Sequence, residues 1–82
     1  MKHHDLKTWP PYFQDVMTGV KSFELRENDR DFAVGDTLCL REWDPQVSQY
    51  TMRAVTRRVV YVLPGGAFGL ASTHVILGLG SI

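Results

Sequence analysis

The sequence predicts a small, mainly β domain of α+β type: a mostly antiparallel barrel with one short helix near the N-terminus. Three observations carry this fold class. Segments rich in alternating or β-branched apolar residues, about five to six of them, lie between clusters of Gly, Pro, Asn and Asp. Only the segment after Trp9 repeats apolar residues at three- and four-residue steps. No strand–helix–strand alternation recurs, which disfavours a doubly wound sheet. The 82 residues read as one domain, 1–82, and a hydrophobic fraction of 44% is ample for one core.

Residues 3–9 form the opening strand. Alternation places His4, Leu6 and Thr8 on one face and Asp5, Lys7 and Trp9 on the other. The neighbouring His3 and His4 therefore diverge, and no further His, Cys or carboxylate stands at a ligand-like spacing, so no metal site is expected. Thr8-Trp9-Pro10-Pro11 announces the helix. Thr8 or Trp9 takes the cap, and proline fits the first turn because its missing N–H has no helical partner there. Tyr12, Phe13, Val16, Met17 and Val20 make one apolar stripe, with Gln14, Asp15 and Thr18 on the wet side. Gly19 is placed to end the helix in a left-handed conformation.

Lys21 to Arg26 follows, a stretch dense in charge. As a strand it sets Phe23 and Leu25 on one face and Glu24 and Arg26 on the other, with Lys21 able to swing to either. The plain reading is a solvated face with an ion pair. Glu27 to Asp31 is a polar loop anchored by Phe32 and Val34, and Val34-Gly35-Asp36 turns into a strand over 37–43. Within that strand Cys39 is expected as a small core residue. Asp44 to Gln49 is a loop opened by Asp-Pro, and Tyr50 to Leu63 is one long bent strand or two. A flexible loop over 64–69 is expected to fold Phe68 back as a plug. The last strand, His74 to Leu79, is apolar enough to be buried on both faces.

Nine basic and nine acidic residues cancel, which argues against a large basic surface that holds nucleic acid by many phosphate contacts. A site for one nucleotide or a short single strand needs only a few placed cations and aromatics. Arg53, Arg57 and Arg58 form a candidate local basic patch. The single cysteine excludes an internal disulfide and a cysteine-rich zinc site. The longest apolar run, Val59 to Leu63, is far too short for a bilayer, and a cytoplasmic location is the expectation. There is no nucleophile elbow or Walker loop, and Gly65, Gly66 and Gly69 open no helix, so no cofactor is expected.

The chemistry thus falls to Lys21, Glu24 and Arg26. Lysine beside a carboxylate can relay a proton, and arginine can clamp a phosphate or a base edge. The same trio suits a structural ion-pair network. Gly19-x-Lys21-x-x-Glu24-x-Arg26, with Gly35-Asp36 leading into a strand, resembles the Gly-x-Lys-x-x-Glu-x-Arg motif of ASCH domains in the PUA-like superfamily. His4 to Pro10, Phe23 to Phe32 and the Gly65-Gly66-x-Phe68-Gly69-Leu70 loop resemble a compact group of bacterial and phage proteins of that kind. The resemblance implies a PUA-like barrel whose cleft, lined by Lys21, Glu24 and Arg26, takes RNA or a modified nucleotide.

Lys7, Trp9 and Arg30 join the candidate binding set, with Trp9 either stacking a base or belonging to the core. Some ASCH-fold relatives hydrolyse acylated cytosine nucleosides with a threonine, a lysine and a distant glutamate. Lys21 matches the lysine, but Glu24 stands where the threonine would, and the segment with the distant glutamate has no counterpart. If catalytic, Glu24 would act as base and Lys21 would stabilise developing charge. The further alternative is a phage-derived module that binds a host protein. Neither the length nor the cysteine count bears on oligomeric state.

Overall fold

The computed structural model describes residues 1–82. Its elements are β1 (His3–Thr8), α1 (Pro10–Thr18), β2 (Phe23–Glu27), β3 (Thr37–Asp44), β4 (Gln49–Pro64) and β5 (His74–Gly80). The five strands form one sheet in the order β1-β3-β4-β5-β2. β1 runs parallel to β3 and the other three pairings are antiparallel. The sheet curls into a half-barrel that leaves β1 and β2 as its two edges.

The alternation read in β1 holds: His4, Leu6 and Thr8 are buried and Asp5 and Lys7 are exposed. Trp9 takes the helix cap in extended conformation, with Pro10 and Pro11 opening the first turn and no side-chain cap. Gly19 ends the helix at φ 85°, a left-handed geometry that a Cβ would strain. Of the apolar stripe only Phe13 and Val16 are buried; Tyr12 and Val20 face solvent, because nine helical residues cover only a narrow strip of the sheet. The core joins Leu6, Val16 and Phe32 to Leu38 and Leu40 of β3, Val59 of β4, and Val75 and Leu77 of β5. Fully burying each such side chain is worth about 1.5–3 kcal/mol.

Segment 50–63 lies within a single 16-residue strand, β4, bent by register shifts opposite Arg41–Trp43 and at Val59–Tyr61. The first shift seats Met52 at φ 73° and brings Thr51 and Arg53 onto the buried Glu42 at 2.6 and 3.6 Å. Several expectations are corrected by the curl of the sheet. Cys39 points to the outer face and is only partly covered. Val34 is exposed, and β5 buries one face rather than two. Phe68 is no plug; it projects from its loop 92% exposed. The loop is ordered by hydrogen bonds from Gly66 N to Leu70 O and from Leu70 N to Ala67 O. Nor do the arginines pool their charge. Arg53 reaches Gln14, Arg57 donates to the carbonyls of Val16 and Met17 at the end of α1, and Arg58 donates to Gly35 O.

The two histidines diverge as alternation requires. His3 Nδ1 meets Thr37 Oγ1 at 2.7 Å, while His4 Nε2 meets Asp36 Oδ2 at 3.0 Å inside the barrel. Asp36 also accepts from the amides of Lys2 (2.9 Å) and Ala33 (3.1 Å). Burial alone would raise its pKa, but the His4 hydrogen bond, the two amides and the His4 charge override that and lower it to about 2. This knot closes the end of the half-barrel at the start of β1, away from the charged stretch. No helix is long and apolar enough to cross a membrane.

Candidate functional site

The site grows from the turn after α1. Gly19 N bonds Val16 O, and Lys21 N bonds Asp15 O at 2.9 Å, which ties Lys21 to the helix end before β2 begins. In β2, Glu24 is paired with Leu77 across β5 and shares its inward face. The charged face of β2 is therefore the buried one: Glu24 is 3% exposed, while Phe23 and Leu25 are 47% and 54% exposed. A solvated ion-pair face is thus not what forms. An edge strand of a half-barrel can carry charge inward at the mouth, where the core thins and partners from other segments converge.

Those partners are complete. Lys21 Nζ donates to Glu24 Oε1 at 2.6 Å and to Phe23 O at 2.7 Å. Arg26 grips Glu24 Oε2 with Nε at 3.0 Å and Nη2 at 2.9 Å. Nη2 also spans the open seam of the half-barrel to Lys7 O (2.8 Å) and Thr8 Oγ1 (3.3 Å) on β1. Arg26 is thus a strut between the two edge strands. A buried carboxylate held by two cations has its desolvation offset on both oxygens.

Donors remain. Lys21 keeps one N–H beyond its two bonds, and Nη1 of Arg26 makes no hydrogen bond at all. Both side chains line an open cleft of about 450 Å³ between β2 and the β1–α1 junction. That volume lies within the roughly 300–1,000 Å³ of small-molecule sites. Trp9, Tyr12, Phe23 and Leu25 wall the cleft, and Lys7 and Thr8 complete its rim. The floor carries a net charge of one cation, since Lys21 and Arg26 outnumber Glu24.

Of the residues singled out by sequence, Lys7, Trp9, Lys21, Glu24 and Arg26 all line the cleft. Arg30 does not; it donates to Asp5 O at 2.8 Å and lies near Asp29, outside the cleft. Trp9 is 54% exposed and so lies on the wall rather than in the core. Tyr12, Thr8, Phe23 and Leu25 were not anticipated. Tyr12 reads as part of the helix stripe, and only the seam between β1 and β2 turns Phe23 and Leu25 toward the cleft.

Comparison with known proteins bears on what this cleft belongs to. A family model described as a domain of unknown function, DUF3850, matches residues 3–79. The chain belongs to the DUF3850 family. The match takes in all five strands apart from the last residue of β5, and every residue of the cleft. A relative from Escherichia phage P2, named "Uncharacterized 12.9 kDa protein in GpA 3'region", is 41% identical over 61 residues. That alignment takes in 74% of this DUF3850 chain and 54% of the phage protein, so the chain spans about half the length of the relative it matches.

Proposed function

We propose that the cleft binds one nucleotide unit of an RNA, or a modified nucleotide, and that the chain is a binding module of ASCH, PUA-like kind. The carrying observation is the pair of unspent donors, on Lys21 and on Nη1 of Arg26, beside half-exposed aromatic rings. Trp9, Tyr12 and Phe23 offer faces to a base. The spare N–H groups suit phosphate oxygens or the acceptor edge of a base. Glu24 holds both cations in place and is a positioning residue. Its burial and the engagement of both its oxygens weigh against service as a general base, and hence against the nucleoside amidohydrolase reading. Nothing comparable favours a host-protein partner over a nucleotide.

The test is titration calorimetry against mononucleotides of the four bases and their modified forms. Saturable binding is expected, weakened at least tenfold by Lys21→Ala and by Trp9→Ala in protein that melts as a folded domain. No saturable binding across the panel, or affinity untouched by both variants, would overturn the proposal.

A further inference from the structure

We infer that the cleft is the first station of a longer track for single-stranded nucleic acid, which leaves past Lys7 and runs over the outer face of β1, β3 and β4. This rests on the nucleotide reading of the cleft and adds the class of ligand, an oligonucleotide rather than a mononucleotide. Lys7 lines the cleft, yet its ammonium lies 4.0 Å from the centroid of the Trp43 ring on the neighbouring outer face. Trp43 meets Tyr50 edge-on at 4.8 Å, and the Arg41 guanidinium covers Tyr50 at 4.1 Å. The strand register gathers the four into one patch, since Lys7 is paired with Arg41 and Trp43 with Tyr50. Two cations and two aromatic rings thus share one continuous patch of sheet.

Trp9 provides a second link. It walls the cleft on one side and, on the other, a hollow of about 420 Å³ shared with Pro10, Pro11 and the Asp44–Gln46 turn. That turn follows Trp43 directly in the chain, so the hollow adjoins the end of β3 that carries the ring pair. Two carboxylates lie nearby: Asp44, which lines the hollow and accepts from Gln46 N at 2.9 Å, and Asp5, 3.4 Å from His3.

Exposed cation–π contacts are weaker than stacking of a base on an aromatic side chain. A strand laid on this face would therefore draw Lys7 and Arg41 off the rings toward its phosphates and set bases on Trp43 and Tyr50. Cations set beside aromatic rings on a sheet face suit the phosphates and unpaired bases of a single strand; a duplex hides the ring faces of its bases. The neutral total charge of the chain is no obstacle, because the track needs only the cations it places.

The experiment compares, by fluorescence anisotropy, a labelled single-stranded decamer of mixed sequence, as RNA and as DNA, with competing mononucleotides. Arg41→Ala and Tyr50→Ala are the variants; Arg41 is exposed and makes no hydrogen bond, so its removal leaves the fold intact. The decamer is expected to bind more tightly than any mononucleotide. Tyr50→Ala should weaken the decamer roughly 5- to 150-fold, and Arg41→Ala should lower its salt slope by about 0.7. Neither variant should alter mononucleotide affinity. Equal affinity for decamer and mononucleotide, or a decamer indifferent to both variants, overturns the track and leaves the cleft reading standing. Binding of neither ligand overturns both.

Discussion

Replacing Arg26 by alanine removes in one step the grip on Glu24 Oε2 and the strut to Lys7 O and Thr8 Oγ1. A hydrogen bond to a charged group contributes about 1.5–3 kcal/mol, and breaking a fully buried ion pair costs about 3–5 kcal/mol. Here Lys21 remains on Oε1, and Arg26 is 23% exposed, so water can replace part of what is lost. The lower part of those ranges applies, giving a loss of about 2–4 kcal/mol. An 82-residue domain has roughly 4–12 kcal/mol of stability in total. At about 4–8 °C per kcal/mol, the melting temperature should fall by roughly 10–30 °C. Lys21→Ala, which removes one bond to Oε1 and one to Phe23 O but leaves both edge strands joined by Arg26, should cost about 1–3 kcal/mol. Circular-dichroism melts and urea unfolding measure both, and amide exchange locates the effect. Protection should drop in β1 and β2, the strands that Arg26 joins, before it drops in β3 and β4. An Arg26→Ala protein melting within about 2 °C of the parent, or one less damaged than Lys21→Ala, would refute the strut.

Asp36 sets an acid limit. Its pKa is lowered from 3.8 to about 2 in the folded chain, so its stabilisation is complete above the unfolded value and is lost as pH falls toward 2. Melts taken from about pH 5 down to about pH 2 should show Asp36→Asn less stable at neutral pH and flatter across that window; parallel curves would discard this account. Gly65 is a steric requirement, since a Cβ there would overlap the carbonyl oxygens of Ala71 and His74, which are backbone atoms. Gly65→Ala should cost about 1–3 kcal/mol, read from urea midpoints, and an unchanged midpoint would show that the loop can yield.

Much of the fold was legible because its signals are local. Alternation located β1 and divided its two faces, the Pro-Pro step opened α1, and Gly19 closed it within a residue of where the periodicity ends. The errors came where the burial of a side chain depends on a distant strand. The face of Glu24 and Arg26 reads as the solvated one, yet it is Phe23 and Leu25 that lie outward, beside Gly78 and Ile76 of β5. Phe68 looks like a plug but nothing is positioned to receive it. Arg30 looks like a companion of Arg26, yet its loop carries it to the outside of β1.

The order of the elements, the ends of the helix and the trio of charges at the entry to β2 are legible along the chain, because each depends on neighbours a few residues away. The curled sheet is what turns those charges inward, makes Arg26 join two edge strands far apart in the chain and leaves one of its donors unspent. The physical reason is that a strand's alternation defines two faces without naming the inner one. That choice belongs to the closure of the sheet, where β5 presents Leu77 to Glu24 and β1 presents its carbonyl to Arg26.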